Sequence, residues 1–429
     1  MTSRLHLNTP LLPVLALLLL VLEIVDQSKI WMTLLIGLGG AWLVAYLWVR
    51  ALAHNLSLVR EIRYGWAQVG DRLEERFTVS NNSAVPATWL EVDDHSSLPG
   101  YQPSRATAVG GMSVSQWHTD GVCTRRGLYT LGGTTLRTGD PLGVYTLSID
   151  DPTSTTILVM PPVVSLPPIA LTPGGLSGEG RPRARAPEQT VGAASVREYQ
   201  PGDSMHMIHW PSTARNDRLF VRLFDGTPAG DLWVLLDLDS SVQIGEGWDS
   251  TEEHAVILAA SLIDRTLRGR QGAGLAINGK QLAWIPPRTN ANQRWELFRA
   301  LALAQPGDLR LGQLLERVGK SFGRQASLVI ITASPQPGWL EALIPLTWRG
   351  ISPTVLLLDL RSFGGSQDPS ATEELLRQMG VSCHIITRDL LDRQESHPGH
   401  LGEWKWRSGA TGRAIAIQAP INTDWRKLS

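Results

Sequence analysis

The residues best suited to chemistry stand at the end of an apolar run. Leu232 to Leu238 reads LWVLLDL, and the chain continues Asp237-Leu238-Asp239-Ser240-Ser241. Two carboxylates and a hydroxyl at i, i+2 and i+4 supply hard oxygen donors of the kind Mg²⁺ takes. Asp237, Asp239 and Ser241 are therefore the candidate metal ligands, with Mg as the candidate cofactor. Two arrangements come close. One is the adhesion-type metal site Asp-x-Ser-x-Ser, in which Asp239 would replace the middle Ser. The other is the first motif of haloacid-dehalogenase phosphatases, in which Asp237 would be the nucleophile and Asp239 the general acid. Each lacks its partners. The phosphatase pattern needs a later Lys and an acidic pair, and Lys320 is poorly placed. The adhesion-type pattern needs a distant Thr, for which only Thr289 offers itself, and an Asp after the middle strand, where Ala333-Ser334 stands instead. The plain alternative is that both aspartates organise the turn that follows the strand.

Other chemistry is thin. There is no Walker motif, dinucleotide fingerprint, His-Glu-x-x-His or Gly-x-Ser-x-Gly, so no catalytic residue is assigned. His206 and His209, near Asp203, lack the further ligands a zinc site needs. The stretch Val196 to Asp225 is dense in Arg, His, Trp and Tyr. Arg197, Arg215, Arg218 and Arg222 offer forks for carboxylate or phosphate groups. Gly202 and Asp203 suit a tight turn. The stretch reads as a structural clamp or as a partner-binding surface.

The elements that would position these residues alternate between strand and helix from Asp231 onward. Leu328 to Thr332 (LVIIT) and Thr354 to Leu360 (TVLLLDL) are further buried-strand runs. Helices are expected over Ser250 to Arg268, Asn292 to Ala304, Leu309 to Val318 and from Ser370, with Ser250 and Ser370 as caps. Such alternation predicts a parallel, doubly wound sheet covered on both faces. Upstream, Leu73 to Ser80, Ala87 to Val92, Gly127 to Thr138, Leu142 to Ile149 and Thr156 to Met160 are short strands of a β-sandwich-like domain. Pro173 to Ala194 is rich in Gly, Pro and Arg and reads as a linker.

At the N-terminus, Ile30 to Trp48 carries no charged residue and approaches the roughly 20 apolar residues that a bilayer requires. A shorter apolar run, Leu11 to Val25, precedes it. The two predict a transmembrane hairpin. Arg4, Arg50, Arg60 and Arg63 flank it against Lys29 alone in the turn, which places both termini and the body in the cytoplasm at the inner membrane. The domains expected are 1–55 (hairpin), 56–168 (β-rich), 169–230 (linker and signature), 231–395 (α/β) and 396–429 (tail).

The composition agrees with a membrane-attached protein. The 429 residues include 39 basic and 40 acidic side chains, which gives no global match to nucleic acid. Two cysteines, Cys123 and Cys383, make no disulfide framework. Charged residues are 18%, low for a soluble domain.

The Arg- and Trp-rich stretch also resembles the signature of the bacterial domain-of-unknown-function family 58. Arg197, Glu198, Tyr199, Gly202, Asp203, Ile208, Trp210, Thr213, Ala214, Arg215, Leu219, Val221 and Arg222 match it, and Pro211 stands where the family usually has Lys. Thr124 to Tyr129 and Thr138 to Gly143 are similar to its upstream elements. The resemblance implies a von Willebrand factor A-like (Rossmann-like) α/β domain beside the β-rich domain and the hairpin. It also implies partnership with a MoxR-type AAA+ ATPase. The function expected is a membrane-anchored protein-binding module, partner or adaptor of that ATPase in client maturation or assembly. A Mg-dependent phosphohydrolase using Asp237 and Asp239, and a structural envelope scaffold, are the alternatives.

Overall fold

The computed structural model describes residues 2–167, 169, 171–172, 195–199, 208, 210–216, 218–223, 231–288, 292–323, 326–351, 353–391, 405–408, 414–418 and 426–427. The chain forms two compact units: residues 1–162 with 393–429, and residues 163–392.

The first unit opens with strand β1 (Thr2–Leu7), followed by helices α1 (Leu11–Val25) and α2 (Lys29–Asn55). Helix α2 is long and apolar enough to cross a membrane; α1 is a shorter apolar helix. Strands β2 (Leu56–Ile62), β3 (Trp66–Gln68), β4 (Arg72–Asn81), β5 (Ala87–Asp94), β6 (Arg105–Val109), β7 (Ser113–Val122), β8 (Gly127–Gly139) and β9 (Tyr145–Met160) follow. One sheet has the order β1-β9-β8-β5-β6, with β3 beside β9; the second contains β2-β4-β7. Alternation sends Phe77, Val79 and Trp117 of one sheet, and Leu90, Val92, Leu136, Leu147 and Ile149 of the other, into one shared core. Residues Leu142 to Met160 do not form two strands. Leu142 belongs to a turn held by Asp140, and one long strand runs from Tyr145 to Met160. Strands β1, β2, β3, β6 and β7 are not among those expected from the sequence.

The core of this unit carries a buried charge cluster. Arg60 pairs with Glu75 at 2.7 Å and with Asp94, and donates to Thr134 Oγ1 at 2.7 Å. The Tyr101 hydroxyl donates to Glu75, and the Arg60 guanidinium lies 4.6 Å from the centre of the Phe77 ring. Burial raises the Glu75 carboxyl above the ordinary carboxylate range, and the Arg60 charge only partly opposes it.

The second unit begins with a two-stranded ribbon, β10 (Ser195–Glu198) and β11 (Phe220–Leu223), with helix α3 (Trp210–Asn216) between its strands. The main sheet is built from β12 (Leu232–Leu236), β13 (Ala273–Asn278), β14 (Leu282–Arg288), β15 (Ser327–Thr332), β16 (Pro353–Leu358) and β17 (Ser382–Ile386). Its order is β14-β13-β12-β15-β16-β17; all pairs are parallel except β13–β14. Helices α4 (Thr251–Arg268), α5 (Gln293–Leu303), α6 (Leu311–Val318), α7 (Ile344–Trp348) and α8 (Ser370–Gln378) connect the strands. Trp233, Leu235, Leu328, Ile330, Val355 and Leu357 pack on one face against Leu314, Leu315, Leu343 and Leu376. The alternate residues Val234, Leu236, Val329 and Ile331 point to the other face, and α4 contacts the same central strands.

Ser250 caps α4 by accepting from Glu253 N at 3.2 Å. Ser370 is not a cap: it is the first residue of α8, and its amide and hydroxyl both donate to Asp368. In the tail, β18 (Lys405–Ser408) pairs with β19 (Ala414–Gln418), and β20 (Arg426–Lys427) pairs with β2 of the first unit.

Candidate functional site

In the main sheet the connections run one way from β12 to β13 and the other way to β15. The carboxyl ends of β12 and β15 therefore flank the point where the winding reverses, the usual place for a ligand in an open α/β sheet. Asp237 directly follows β12. Its Oδ1 accepts from Asn278 Nδ2 at 2.6 Å and from Asp239 N at 3.2 Å, and its Oδ2 accepts from Thr332 Oγ1 at 2.6 Å. Asn278 and Thr332 are the last residues of β13 and β15, the two neighbours of β12. The three strand ends are thus tied through one carboxylate. Burial pushes that carboxyl above its ordinary range, against the pull of the Thr332 and Asn278 donors.

Asn278 is the hub of this arrangement. Its Oδ1 accepts from Leu238 N at 2.5 Å, and its Nδ2 also donates to Leu309 O at 2.8 Å. The loop after β12 is held on a second side by Gly307, whose amide donates to Leu238 O at 3.0 Å and whose carbonyl accepts from Ser240 N at 2.8 Å. Backbone approaches so closely here that a Cβ on Gly307 would lie 2.4 Å from Gly279 C. Asp239 Oδ1 accepts from the amide and hydroxyl of Ser241, at 3.0 and 2.8 Å.

Asp237, Asp239 and Ser241 do come together, on the wall of a cavity of about 410 Å³. Arg310, the residue before α6, and Gln313 and Glu316 within it, with Ser334, Gln336 and Trp339, close its other sides. These residues were not legible as a site: they lie on different connections and share no motif. Thr332 and Asn278 carried a usable signal, since each ends a strand adjacent to β12. After LVIIT, where the adhesion-type pattern needs an Asp, Ala333-Ser334 follows, and Thr332, the last residue of that strand, donates to Asp237 instead. Thr289 lies outside the described residues.

Several of the candidate ligand oxygens are engaged within the protein. Both oxygens of Asp237 already hold protein donors, one oxygen of Asp239 holds Ser241, and the Arg310 cation lines the same cavity. No group of three or more His, Cys, Asp or Glu side chains suited to a metal occurs among the described residues.

The signature residues form a second locality. Arg197 and Glu198 lie on β10 and Arg222 on β11, where Val196 is paired with Arg222 and Arg197 with Val221. Tyr199 N donates to Leu219 O at 2.8 Å, and Phe220 N donates to Thr213 Oγ1 at 3.1 Å, which ties α3 to the ribbon. Trp210 and Arg215 are exposed on α3. Gly202, Asp203, His206 and His209 lie outside the described residues.

The ribbon and the first strands of the main sheet also carry the likeness to known proteins. Residues 195–359 match the family described as "Protein of unknown function DUF58". Over this segment the chain is similar to that family. The uncharacterized protein YeaD of Bacillus subtilis is 34% identical over 142 residues, 33% of this chain and 34% of the relative. The uncharacterized protein Rv1480 of Mycobacterium tuberculosis is 26% identical over 171 residues, 38% of this chain and 54% of the relative. The matches thus span between a third and about half the length of these relatives. Among solved structures, proximal thread matrix protein 1 from the mussel byssus aligns with a TM-score of 0.24 and 14% identity, over 30% of this chain and 37% of that one. So weak a likeness does not bear on the fold.

Proposed function

We propose that the protein is a membrane-anchored binding module that docks a protein partner at the carboxyl end of its α/β sheet. The observation that carries this reading is the state of Asp237. A nucleophile needs a free oxygen facing its substrate. Here both oxygens accept from Thr332 and Asn278, inside a carboxyl whose neutral form burial favours. The residue acts as a clasp for three strand ends and leaves a rigid polar cavity beside it. That weighs against the phosphohydrolase reading. Arg310, Asp239 and Glu316 give the cavity both signs of charge, suited to polar side chains of a partner rather than to one small anion.

The strand order, with one antiparallel edge on a parallel sheet, supports the von Willebrand factor A-like reading of this unit. The family resemblance makes a MoxR-type AAA+ ATPase the partner of choice, with the ATPase supplying energy for client maturation. Membrane anchoring rests on α1 and α2. Strand β1 is paired to β9 before the chain enters α1, and β2 is paired to β4 directly after α2. A chain that leaves and re-enters one folded unit must cross the bilayer an even number of times or not at all. That supports two spans with both termini on one side, and the distribution of Arg4, Arg50, Arg60 and Arg63 favours the cytoplasm.

The test is co-purification of the full chain from detergent with a MoxR-type ATPase of the same cell. Arg310→Glu and Ser241→Ala should each weaken the complex while the melting temperature holds. A complex that never forms, or one indifferent to both changes, would count against the proposal.

A further inference from the structure

The helices do not project far enough from the first unit to cross a bilayer alone. Ala45, Val49 and Leu52 of α2 are buried in the core of the β-sheets, Trp42 Nε1 donates to the Tyr145 hydroxyl at 2.7 Å, and Trp48 Nε1 donates to Pro86 O at 3.1 Å. Only Lys29 to Ala41 stands clear of these contacts, a rise of about 20 Å. A hydrocarbon core is about 30 Å thick. Yet the exposed apolar face of α2 continues past Trp42 through Leu43, Val44 and Leu47, each more than half exposed, and stops at Arg50. Ile30 to Leu47 rises about 27 Å, close to what the bilayer asks. The difference of about 7 Å lies alongside the sheets.

Strand pairing shows what surrounds the helices at that level. Leu7 is paired with Tyr145, Leu56 with Asn81, Asn81 with Ser113, and Ala87 with Val109. The loops 82–86, 110–112 and 140–144 therefore share one end of the unit with the entry to α1 and the exit from α2. They hold a single charged residue, Asp140. It is buried, and its carboxylate accepts from the amides of Leu142, Val144 and Tyr145 at 2.8, 3.3 and 2.6 Å. The turn so formed presents Leu142, 58% exposed. Met112 is 74% exposed and sits at φ 50°, an uncommon conformation for a non-glycine residue, with its amide donating to Ser83 O at 2.8 Å. Val114 beside it is 64% exposed.

We infer that this end of the β unit is itself seated in the bilayer interface, with Leu142, Met112 and Val114 reaching below the headgroups. Each feature is one that lipid demands: uncharged tips, a carboxylate satisfied by its own turn, and indole and phenol groups partnered inside the protein. The inference rests on the reading of α1 and α2 as membrane helices and adds a docking face to it.

The full chain, reconstituted in phosphatidylcholine vesicles, tests it. Leu142→Cys and Met112→Cys, each in a Cys383→Ser background, carry an environment-sensitive fluorophore; Cys123 is buried. Gln102→Cys, exposed in the loop at the opposite end of the sheets, is the control. Lipids bearing a nitroxide just below the headgroup should extinguish the probes at 142 and 112 and leave that at 102 bright. Probes at 142 and 112 as open to aqueous iodide as the control would overturn the inference. Gln27→Cys, in the turn between α1 and α2, separates the two readings. If it reacts only from the far side of the vesicle while 142 and 112 stay unquenched, the helices span and the docking face fails alone. If the chain washes from the vesicles, both fail.

Discussion

Asp237 and Arg60 are both buried and ionisable, and they respond to substitution in opposite ways. Asp237 has no cationic partner among its hydrogen-bonding neighbours, and its carboxyl is raised by burial. A group whose folded pKa lies above its unfolded value stabilises the fold at low pH and loses that contribution as pH rises through the folded value. Asp237→Asn, which stays neutral, is therefore expected to flatten the stability profile. The advantage of the native chain over the variant should be full and level below the ordinary carboxylate value of about 4 and shrink as pH rises above it. Melting temperatures across pH, native against variant, check this; parallel profiles would refute it. Arg60 is the reverse case. Its guanidinium serves Glu75, Asp94 and Thr134 together, so Arg60→Met strands two buried acids. The expected loss is about 3–5 kcal/mol in urea denaturation of the solubilised chain. Glu75→Gln, which keeps an acceptor for Arg60 and Tyr101, should cost clearly less. Of the candidate ligands, Asp237, Asp239 and Ser241 were visible as a spaced trio. Their role was not, because whether a carboxylate is free or clasped depends on Asn278 and Thr332, distant in the chain.

At the scale of elements, legibility followed burial. β12, β15 and β16 are buried along their whole length, and each reads as a continuous apolar run. β14 did not read as a strand because it carries Pro286 and Pro287, which the ladder tolerates on this edge position next to β13. β1 is exposed throughout, and only its pairing with β9 makes it a strand. Ser250 and Ser370 share the same cap spacing, yet only Ser250 caps; Asp368 takes the donors of Ser370 instead. The face of β12 opposite α4 depends on Trp233, stacked 4.2 Å from Trp284 and edge-on to Phe322 at 5.1 Å. Trp233→Ala should cost about 3–5 kcal/mol, measured by denaturant unfolding, because the two remaining rings, Trp284 and Phe322, cannot close over the void. A loss below 1 kcal/mol would mean that the cluster contributes little to holding the sheet.

For the whole molecule, metal and membrane separate the readings most sharply. If the cavity is a docking surface rather than a cation site, Mg²⁺ should leave the melting temperature of the full chain flat, since a ligand stabilises only by binding the folded state. A saturable rise would restore Asp239 and Ser241 as ligands. Part of the low charge content lies in the apolar N-terminus, and the uncharged loops around α2 extend the same economy of charge into the β unit. Local chemistry alone determined the apolar helices, the alternation of strand and helix after Asp231 and the family signature, because periodicity and composition act over a few neighbouring residues. Tertiary structure alone decided that the strand-end aspartate is clasped, that six residues from separate connections share a cavity with it, and that β1 and β2 bring the chain back to one unit on either side of its two apolar helices. Those outcomes depend on which distant segments meet, and hydrogen bonding and packing between such segments leave no mark in any short window of sequence.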